Sequence, residues 1–252
     1  LSPGDVLCLT AAVHSLHRTH PGRYLTSVTS SCPAVWEHNP DVVPLATMEN
    51  PEDVQVRNML INHSNQRSVH VLQDYCDFLA HALQVPVPLI TNRPLLFLSD
   101  EEKGWLNQVA EQHGKPDRWW VLNAGGKRDF TAKQYPYFQE VVDRLQGRVT
   151  FVQVGKLEHA HKPLRGVVNL LGKTDDRQLI RLCHHARGVL CGVTFTMHIA
   201  AALQKPAVVV AGAREPRSWN TYPGIVLLNN VGSLRCPTVI ANEACWRSRV
   251  VK

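Results

Sequence analysis

The sequence predicts an α/β fold: parallel sheets with helices on both faces, arranged as two Rossmann-like halves facing a cleft. Three observations predict it. Between residues 119 and 210, short apolar runs alternate with helix-length segments, the rhythm of a parallel sheet with crossover helices. Residues 1–84 show the same alternation less regularly. A proline-studded stretch, Val85-Pro-Val-Pro-Leu-Ile-Thr-Asn-Arg-Pro94, separates the two and reads as a linker. The expected division is 1–95 and 96–252.

Taken in order, a helix is expected over 6–17, where Val6, Leu9, Val13 and Leu16 recur at helical spacing after the Pro3-Gly4-Asp5 turn. Residues 24–29 alternate like a strand, 31–36 read as a turn and short helix, and 42–46 and 55–61 are further strand candidates. An amphipathic helix follows over 68–83, with Val71, Leu72, Tyr75, Phe78, Leu79 and Ala82 on one face. Past the linker, Ser99-Asp-Glu-Glu102 has the form of a capping box. Strands are then expected at 119–122, 149–154, 188–191 and 207–210. Helices are expected at 135–145, 175–186 and 196–203. The first helix is reached without a preceding strand or an initiator Met. The sequence therefore reads as lacking the first strand of its N-terminal half, and as truncated at its C-terminal end.

The composition is that of a globular protein: 252 residues, 44% hydrophobic, 19% charged, net charge +6. No apolar run approaches the roughly 20 residues that span a bilayer, and no secretory signal is visible. Lys and Arg are dispersed without aromatic interleaving, which argues against nucleic acid and suits a local cationic cleft for a small anion. Seven cysteines, an odd number among apolar neighbours, read as reduced buried thiols of a cytoplasmic protein.

Five constellations carry candidate chemistry. Leu190-Cys-Gly-Val-Thr-Phe-Thr-Met-His-Ile-Ala-Ala-Ala-Leu203 reads as strand, polar turn and small-residue helix. Such a turn offers backbone N–H groups and the hydroxyls of Thr194 and Thr196 to an anion, with His198 beside them. Leu122-Asn-Ala-Gly-Gly-Lys-Arg-Asp-Phe-Thr-Ala-Lys-Gln-Tyr135 follows a strand. Gly125 and Gly126 allow close backbone approach there, and Lys127, Arg128 and Lys133 supply charge; the alternative is a basic surface loop. Asp5, in the first turn of the first helix, is either a helix cap or a general base. Glu158, in Gly155-Lys-Leu-Glu-His159, is either a ribose-hydroxyl contact or a solvated carboxylate. Cys236 and Cys245 do not have the spacing of a zinc pair.

Together these motifs resemble glycosyltransferase family 9, the heptosyltransferases with the GT-B fold. The resemblance rests on Ser2-Pro-Gly-Asp-Val-Leu7, on the Asn123-Ala-Gly-Gly-Lys127 to Lys133-Gln-Tyr135 segment, and on Gly192-Val-Thr-Phe-Thr-Met-His-Ile-Ala-Ala-Ala-Leu203 with Lys205-Pro206. It is nearer to the autotransporter (protein) heptosyltransferase branch. It implies inverting transfer of a sugar, typically from ADP-heptose, to a hydroxyl of a glycan, lipid or protein. Asp5 would be the general base. Lys133, with Lys127 as a second candidate, would hold the donor diphosphate. Asn123, Gly125, Gly126, Thr194, Phe195, Thr196 and His198 would contact the donor, and Glu158 its nucleotide. No cofactor is implied for transfer. A structural iron or zinc is implied for the four-cysteine element of the protein-modifying branch, to which Cys236 and Cys245 are the candidates. The implied setting is cytoplasmic, with peripheral contact at the inner membrane.

One departure stands out. Where lipopolysaccharide enzymes of the family carry Asp-Thr-Gly, this chain has Val193-Thr194-Phe195. That difference admits a second reading, a non-catalytic nucleotide-sugar or carbohydrate-binding relative. A dinucleotide-dependent epimerase or dehydrogenase is disfavoured because no Gly-x-Gly-x-x-Gly follows a strand.

Overall fold

A computed structural model of the chain describes residues 1–59, 68–104, 109, 119–128, 133–211 and 217–229. Its centre is a six-stranded, fully parallel sheet formed by β1 (Trp119–Asn123), β2 (Thr150–Gly155), β3 (Val168–Leu171), β4 (Gly188–Gly192), β5 (Ala207–Ala211) and β6 (Ile225–Asn229). The spatial order is β3-β2-β1-β4-β5-β6. This is a doubly wound order, in which the chain reverses direction across the sheet between β1 and β4. Val121 pairs with Val152 on one side and Val189 on the other, which fixes the register at the centre.

Strand alternation distributes the core over two faces. Leu122, Phe151 and Leu190 point to one face and meet Phe138 and Val142 of helix α4 (Phe138–Leu145). Val121, Val152, Val154 and Val189 point to the other face. There the core continues through α5 (Asp176–His185) and α6 (Phe195–Ala202) into α1 (Pro3–Thr19) and α2 (Val71–Leu83). Two short helices, α3 (Asp100–Gly104) and α7 (Arg217–Asn220), lie between these elements in the chain.

Helix α1 is buried along most of its circumference, more deeply than its simple amphipathic spacing suggests. Its two interior hydroxyls are satisfied within the helix and then reused. Thr10 Oγ1 donates to Leu7 O (2.6 Å) and accepts from Leu95 N (2.9 Å). Ser15 Oγ donates to Ala11 O (2.7 Å) and accepts from Ile90 N (3.3 Å). The proline-studded stretch is thereby fastened along α1 rather than standing free between two bodies.

Three expected strands are corrected. Residues 24–29, 42–46 and the described part of 55–61 form no strand, and all strands among the described residues lie between 119 and 229. Leu45–Thr47 is instead a short 3-10 turn. The alternation in these segments is real: Tyr24, Val28, Val42, Val54 and Val56 pack on the core. It reports extended chain with one buried face, but no ladder partner lies beside it. The main-chain link between the first two segments is Val43 N to Thr26 O (2.8 Å). The parallel sheet expected in the first half therefore has no counterpart among the described residues. Conversely, β3, α7 and β6 were not expected. β3 is only four residues long, with a half-exposed start at Val168 and Asn169.

Candidate functional site

A cavity of about 390 Å³ opens at the carboxyl ends of β1, β2 and β4. That is the crevice beside the switch point, where doubly wound sheets bind ligands. Every residue singled out above as catalytic or donor-binding lines it: Asp5, Asn123, Gly125, Gly126, Lys127, Lys133, Glu158, Thr194, Phe195, Thr196 and His198. Residues from positions 5 to 198 thus converge on one space, although the alternative readings made each a local feature.

Two helix N-termini meet at its wall. The start of α1 abuts the start of α6 at Gly4, where an added Cβ would stand 3.0 Å from His198 Cδ2 and 3.7 Å from Phe195 Cα. Thr194 is the N-cap of α6, but its side chain makes no capping bond. Thr194 Oγ1 is buried without a hydrogen-bond partner, the neighbouring Cys191 thiol interacting with it only weakly. Thr196 is fully buried and accepts from Asn123 Nδ2 at 2.8 Å, which ties α6 to the end of β1. Asn123 Oδ1 is buried and unpartnered. Buried polar atoms left unsatisfied are costly, so Thr194 Oγ1 and Asn123 Oδ1 carry bonding capacity at residues that line the cavity.

Asp5 is a helix cap that also lines the cavity. Its Oδ2 accepts from Ser2 Oγ (2.6 Å) and Ser2 N (3.3 Å), the capping arrangement, while the residue also faces the cavity. Its charge adds to burial in pushing up the Cys8, Tyr75 and Tyr222 groups behind it. The Tyr75 hydroxyl is near enough to feel that charge yet reaches no full hydrogen bond.

The cationic side of the cavity comes from the loop after β1, with Lys127 and Lys133, and from Lys156 after β2. Close packing of that loop depends on glycine. A Cβ on Gly192 would stand 3.0 Å from Lys133 O, so the glycine lets the Lys133 main chain close over the end of β4. Lys156 Nζ lies 3.6 Å from Asp176 Oδ1. Asp175, also at the cavity, is committed to the capping box of α5, accepting from Gln178 N at 2.7 Å. Glu158 is exposed, and its carbonyl accepts from Arg128 Nε at 3.2 Å.

With this geometry in place, comparison with known proteins is informative. The sequence model of glycosyltransferase family 9 (heptosyltransferase) matches residues 45–236, most of the chain. The chain belongs to glycosyltransferase family 9. Solved structures agree at the level of fold. A family 9 glycosyltransferase from Veillonella parvula superposes with a TM-score of 0.68 at 15% identity, covering 92% of this chain and 84% of that one. The Escherichia coli ADP-heptose lipopolysaccharide heptosyltransferase II gives 0.64 at 14% identity, covering 98% and 93%. The iron-containing dodecameric glycosyltransferase TibC of enterotoxigenic E. coli gives 0.55 at 15% identity, covering 88% and 59%. Comparison with curated protein sequences finds no match.

Within this family 9 chain, sequence reasoning missed the histidines of the loop after β2. His161 packs between Gly125 and Gly155, where a Cβ on either glycine would overlap its ring. It stacks on His159 with ring centroids 6.1 Å apart. Burial, and then His159, push its pKa down to about 4, so the ring is neutral at pH 7. Its Nδ1 is buried and unpartnered. The pairing of Gly125 with Gly155 was the available signal, since both strand ends were expected to reach the same crevice. Also missed were Trp219 and Asn220 of α7, which line the cavity. Cys236 and Cys245 lie outside the described residues. Among the described residues, Cys8, Cys32, Cys76, Cys183 and Cys191 are free and buried, as expected for reduced thiols. No described helix is long and apolar enough to cross a membrane.

Away from the cavity, Glu37, His38 and Glu102 bring ligand-type atoms within 4.8 Å of one another. This cluster is an ion-pair network rather than a metal cradle. Arg177 occupies both Glu102 oxygens, Nε to Oε1 and Nη2 to Oε2, each at 2.6 Å.

Proposed function

We propose that this family 9 chain is an inverting glycosyltransferase that moves a sugar, a heptose, from a nucleotide-diphosphate donor such as ADP-heptose to a hydroxyl of a glycan, lipid or protein. The observation that carries the reading is the convergence of Asp5, the lysine-bearing loop and the start of α6 on one cavity at the switch point. Membership of the family supports the reaction class. The ADP-heptose heptosyltransferase among the structural neighbours supports the donor.

In this reading the transfer is a single displacement. The acceptor oxygen attacks the anomeric carbon, the bond from that carbon to the diphosphate oxygen breaks, and Asp5 takes the acceptor proton. The departing nucleotide diphosphate gathers negative charge. Lys133, Lys127 and the N–H groups at the start of α6 meet that charge in this reading, and their presence on the cavity wall supports it. Glu158 accepts from ribose hydroxyls, and the His159–His161 pair, kept neutral chiefly by burial, faces the nucleoside. Transfer itself draws on no metal in this scheme; a structural iron or zinc in the full-length protein would have Cys236 and Cys245 as its candidate ligands. The division of the chain near residue 95 into acceptor-side and donor-side parts is retained, with Asp5 supplied by the first. A cytoplasmic setting with peripheral membrane contact completes the reading, supported by the five free thiols.

The test is Asp5→Asn, read by ADP release from ADP-heptose and by calorimetric ADP binding. The amide keeps an oxygen for Ser2, so the fold survives. Turnover is expected to fall about 10²–10⁴-fold, the usual worth of a general base, with ADP affinity retained. Unchanged turnover removes Asp5 from the mechanism. The second reading, a binding protein without catalysis, draws on Val193 and Phe195 in the donor turn. It gains if the wild-type chain binds ADP-heptose yet releases no ADP.

A further inference from the structure

The cavity runs along the carboxyl edge of the sheet, and its regions differ in chemistry. Beyond β2 and β3 it is lined by Glu158, His159, His161 and Leu179. Between β1 and β4 lie Lys127, Lys133 and the start of α6. Past β5 it is lined by Trp219 and Asn220 of α7, which the transfer scheme leaves without a task. We propose that Asn220 is a sugar-contact residue: its carboxamide bonds hydroxyls of the sugar carried by the donor, and so helps set which sugar the cavity accepts. This inference rests on the nucleotide-sugar reading given above.

Asn220 is 5% exposed, and Trp219 beside it 4%. A carboxamide carries two N–H donors and an acceptor oxygen, and in a side chain this deeply buried such groups are ordinarily hydrogen-bonded. Among the described residues the Asn220 carboxamide makes no hydrogen bond. It is not sealed off either. Thr194 Oγ1 and Asn123 Oδ1 are unpartnered and closed to solvent, whereas neither amide atom of Asn220 is closed in that way. What remains reachable of this residue is therefore unused polar capacity, on a residue that lines the cavity. The chemistry of that capacity is selective. Diphosphate oxygens only accept, whereas sugar hydroxyls both give and take hydrogen bonds, as a carboxamide does. The donor turn supplies little of the same kind: Val193 and Phe195 are apolar, and Thr196 Oγ1 already accepts from Asn123 Nδ2.

The sheet order says which part of the donor reaches Asn220. β2 and β5 are separated by β1 and β4, three strand spacings or roughly 14 Å. A nucleotide-diphosphate-sugar with its nucleoside beyond β2 and its diphosphate at the switch point carries its sugar toward β5. That is also the Asp5 side. Tyr222, two residues after Asn220, has its Oη 2.8 Å from His198 Nδ1 and 3.5 Å from Cys8 Sγ. The Asp5 charge reaches the Tyr222 phenol, and the His70 ring packs edge-on against it with centroids 4.7 Å apart. The segment bearing Asn220 is thus fastened to α1 and α6 near the helix starts that hold Asp5 and Thr194. A site that hydrogen-bonds a hydroxyl rejects an analogue lacking it far more strongly than an apolar wall does, which makes this amide a specificity determinant.

The experiment is calorimetry of the full chain with ADP-heptose and with ADP, for the wild type and for Asn220→Leu, which keeps the shape of the side chain. Affinity for ADP-heptose is expected to fall about tenfold, the worth of one net hydrogen bond, while affinity for ADP stays within about twofold. The substitution strands no protein group, so the melting temperature of the unliganded chain should hold or rise. Equal losses for the two ligands, or no loss for ADP-heptose, overturn the proposal. So does a melting temperature lowered by more than about 4 °C, which would make the amide a structural group. A wild type that fails to bind ADP-heptose removes the nucleotide-sugar reading and this inference with it. A wild type that binds both ligands, with a variant that binds both equally well, removes only the role of Asn220.

Discussion

Removing Arg177 should destabilise the fold out of proportion to the loss of one polar side chain. Arg177 is 7% exposed and sits at the start of α5. Its guanidinium grips the Glu102 carboxylate bidentately at 2.6 Å and donates to Ala34 O (2.9 Å) and Phe97 O (2.7 Å). It thus joins three separate stretches of chain. Arg177→Met would leave the Glu102 charge, 6% exposed, without its main partner. Breaking a buried pair from one side costs about 3–5 kcal/mol. Glu102 retains Arg181 Nε at 3.2 Å and Ser99 N at 2.8 Å, which places the cost at the lower end, ~3 kcal/mol. At ~2–4 °C per kcal/mol for a chain of this size, the melting temperature should fall by about 6–12 °C. Adding Glu102→Leu should recover at least half of that loss, because a pair replaced by apolar groups leaves no stranded charge. Urea unfolding of the wild type, both single variants and the double variant gives the cycle. A loss below ~1 kcal/mol for Arg177→Met, or a double variant as unstable as the sum of the singles, refutes the reasoning.

Acid should weaken the fold in two steps. Burial lowers His70 and His161 to about 4, so the unfolded chain takes up protons first, and stability declines as pH falls from 6.5 toward 4. Glu102, held at about 2 chiefly by Arg177, adds a second loss as pH falls below its ordinary carboxylate range. Denaturant midpoints that stay flat between pH 7 and 5 would contradict the histidine step. At the cavity, Gly125→Ala should displace His161, because the new methyl overlaps Ala160 O and the His161 ring. A fall in ADP affinity of about tenfold or more by calorimetry is expected, and unaltered affinity would detach this loop from the nucleotide.

The second half of the fold was legible because its central strands, such as β2 and β4, are buried on both faces, unlike β3 and β6 at the edges. A run such as Trp119–Asn123 or Gly188–Gly192 is too apolar and too short to be anything but a central parallel strand between helices. The first half was misread because alternation reports a buried face and not a hydrogen-bonded neighbour. Val54 and Val56 pack on the core from chain that has no strand beside it among the described residues. The site followed the same division. Described residues of the loops after three expected strands, among them Asn123, Lys127 and Lys133, Gly155 and Glu158, and Val193 to Thr196, line the crevice. Asp5 was placed by resemblance, since nothing local ties a helix start at position 5 to a turn at position 194. His161 and Tyr222 were invisible for a related reason. Their roles come from what packs against them, Gly125 and Gly155 in one case and Cys8 and His198 in the other, and neither set shares a local pattern.

The placement of Asp5 also bears on why this site suits transfer better than binding alone. The family match begins at residue 45, so it covers the donor-side residues and leaves α1 outside. Yet α1 is no appendage: Leu7, Cys8, Ala11 and Ala12 are fully buried, and its start is fitted against α6 at Gly4. The fold therefore fixes the Asp5 carboxylate on the wall of a cavity that Lys127, Lys133 and Lys156 also line. For a protein that only held a nucleotide-sugar, a further carboxylate on this wall, beside Glu158, Asp175 and Asp176, would oppose a diphosphate. A helix cap alone does not call for it, because Ser, Thr or Asn side chains cap helix starts without charge. A carboxylate facing a diphosphate-sugar is useful when a hydroxyl arriving beside it must lose a proton. The capping bonds from Ser2 then have a second effect. Both fall on Oδ2, so they hold the carboxylate in one orientation at the cavity.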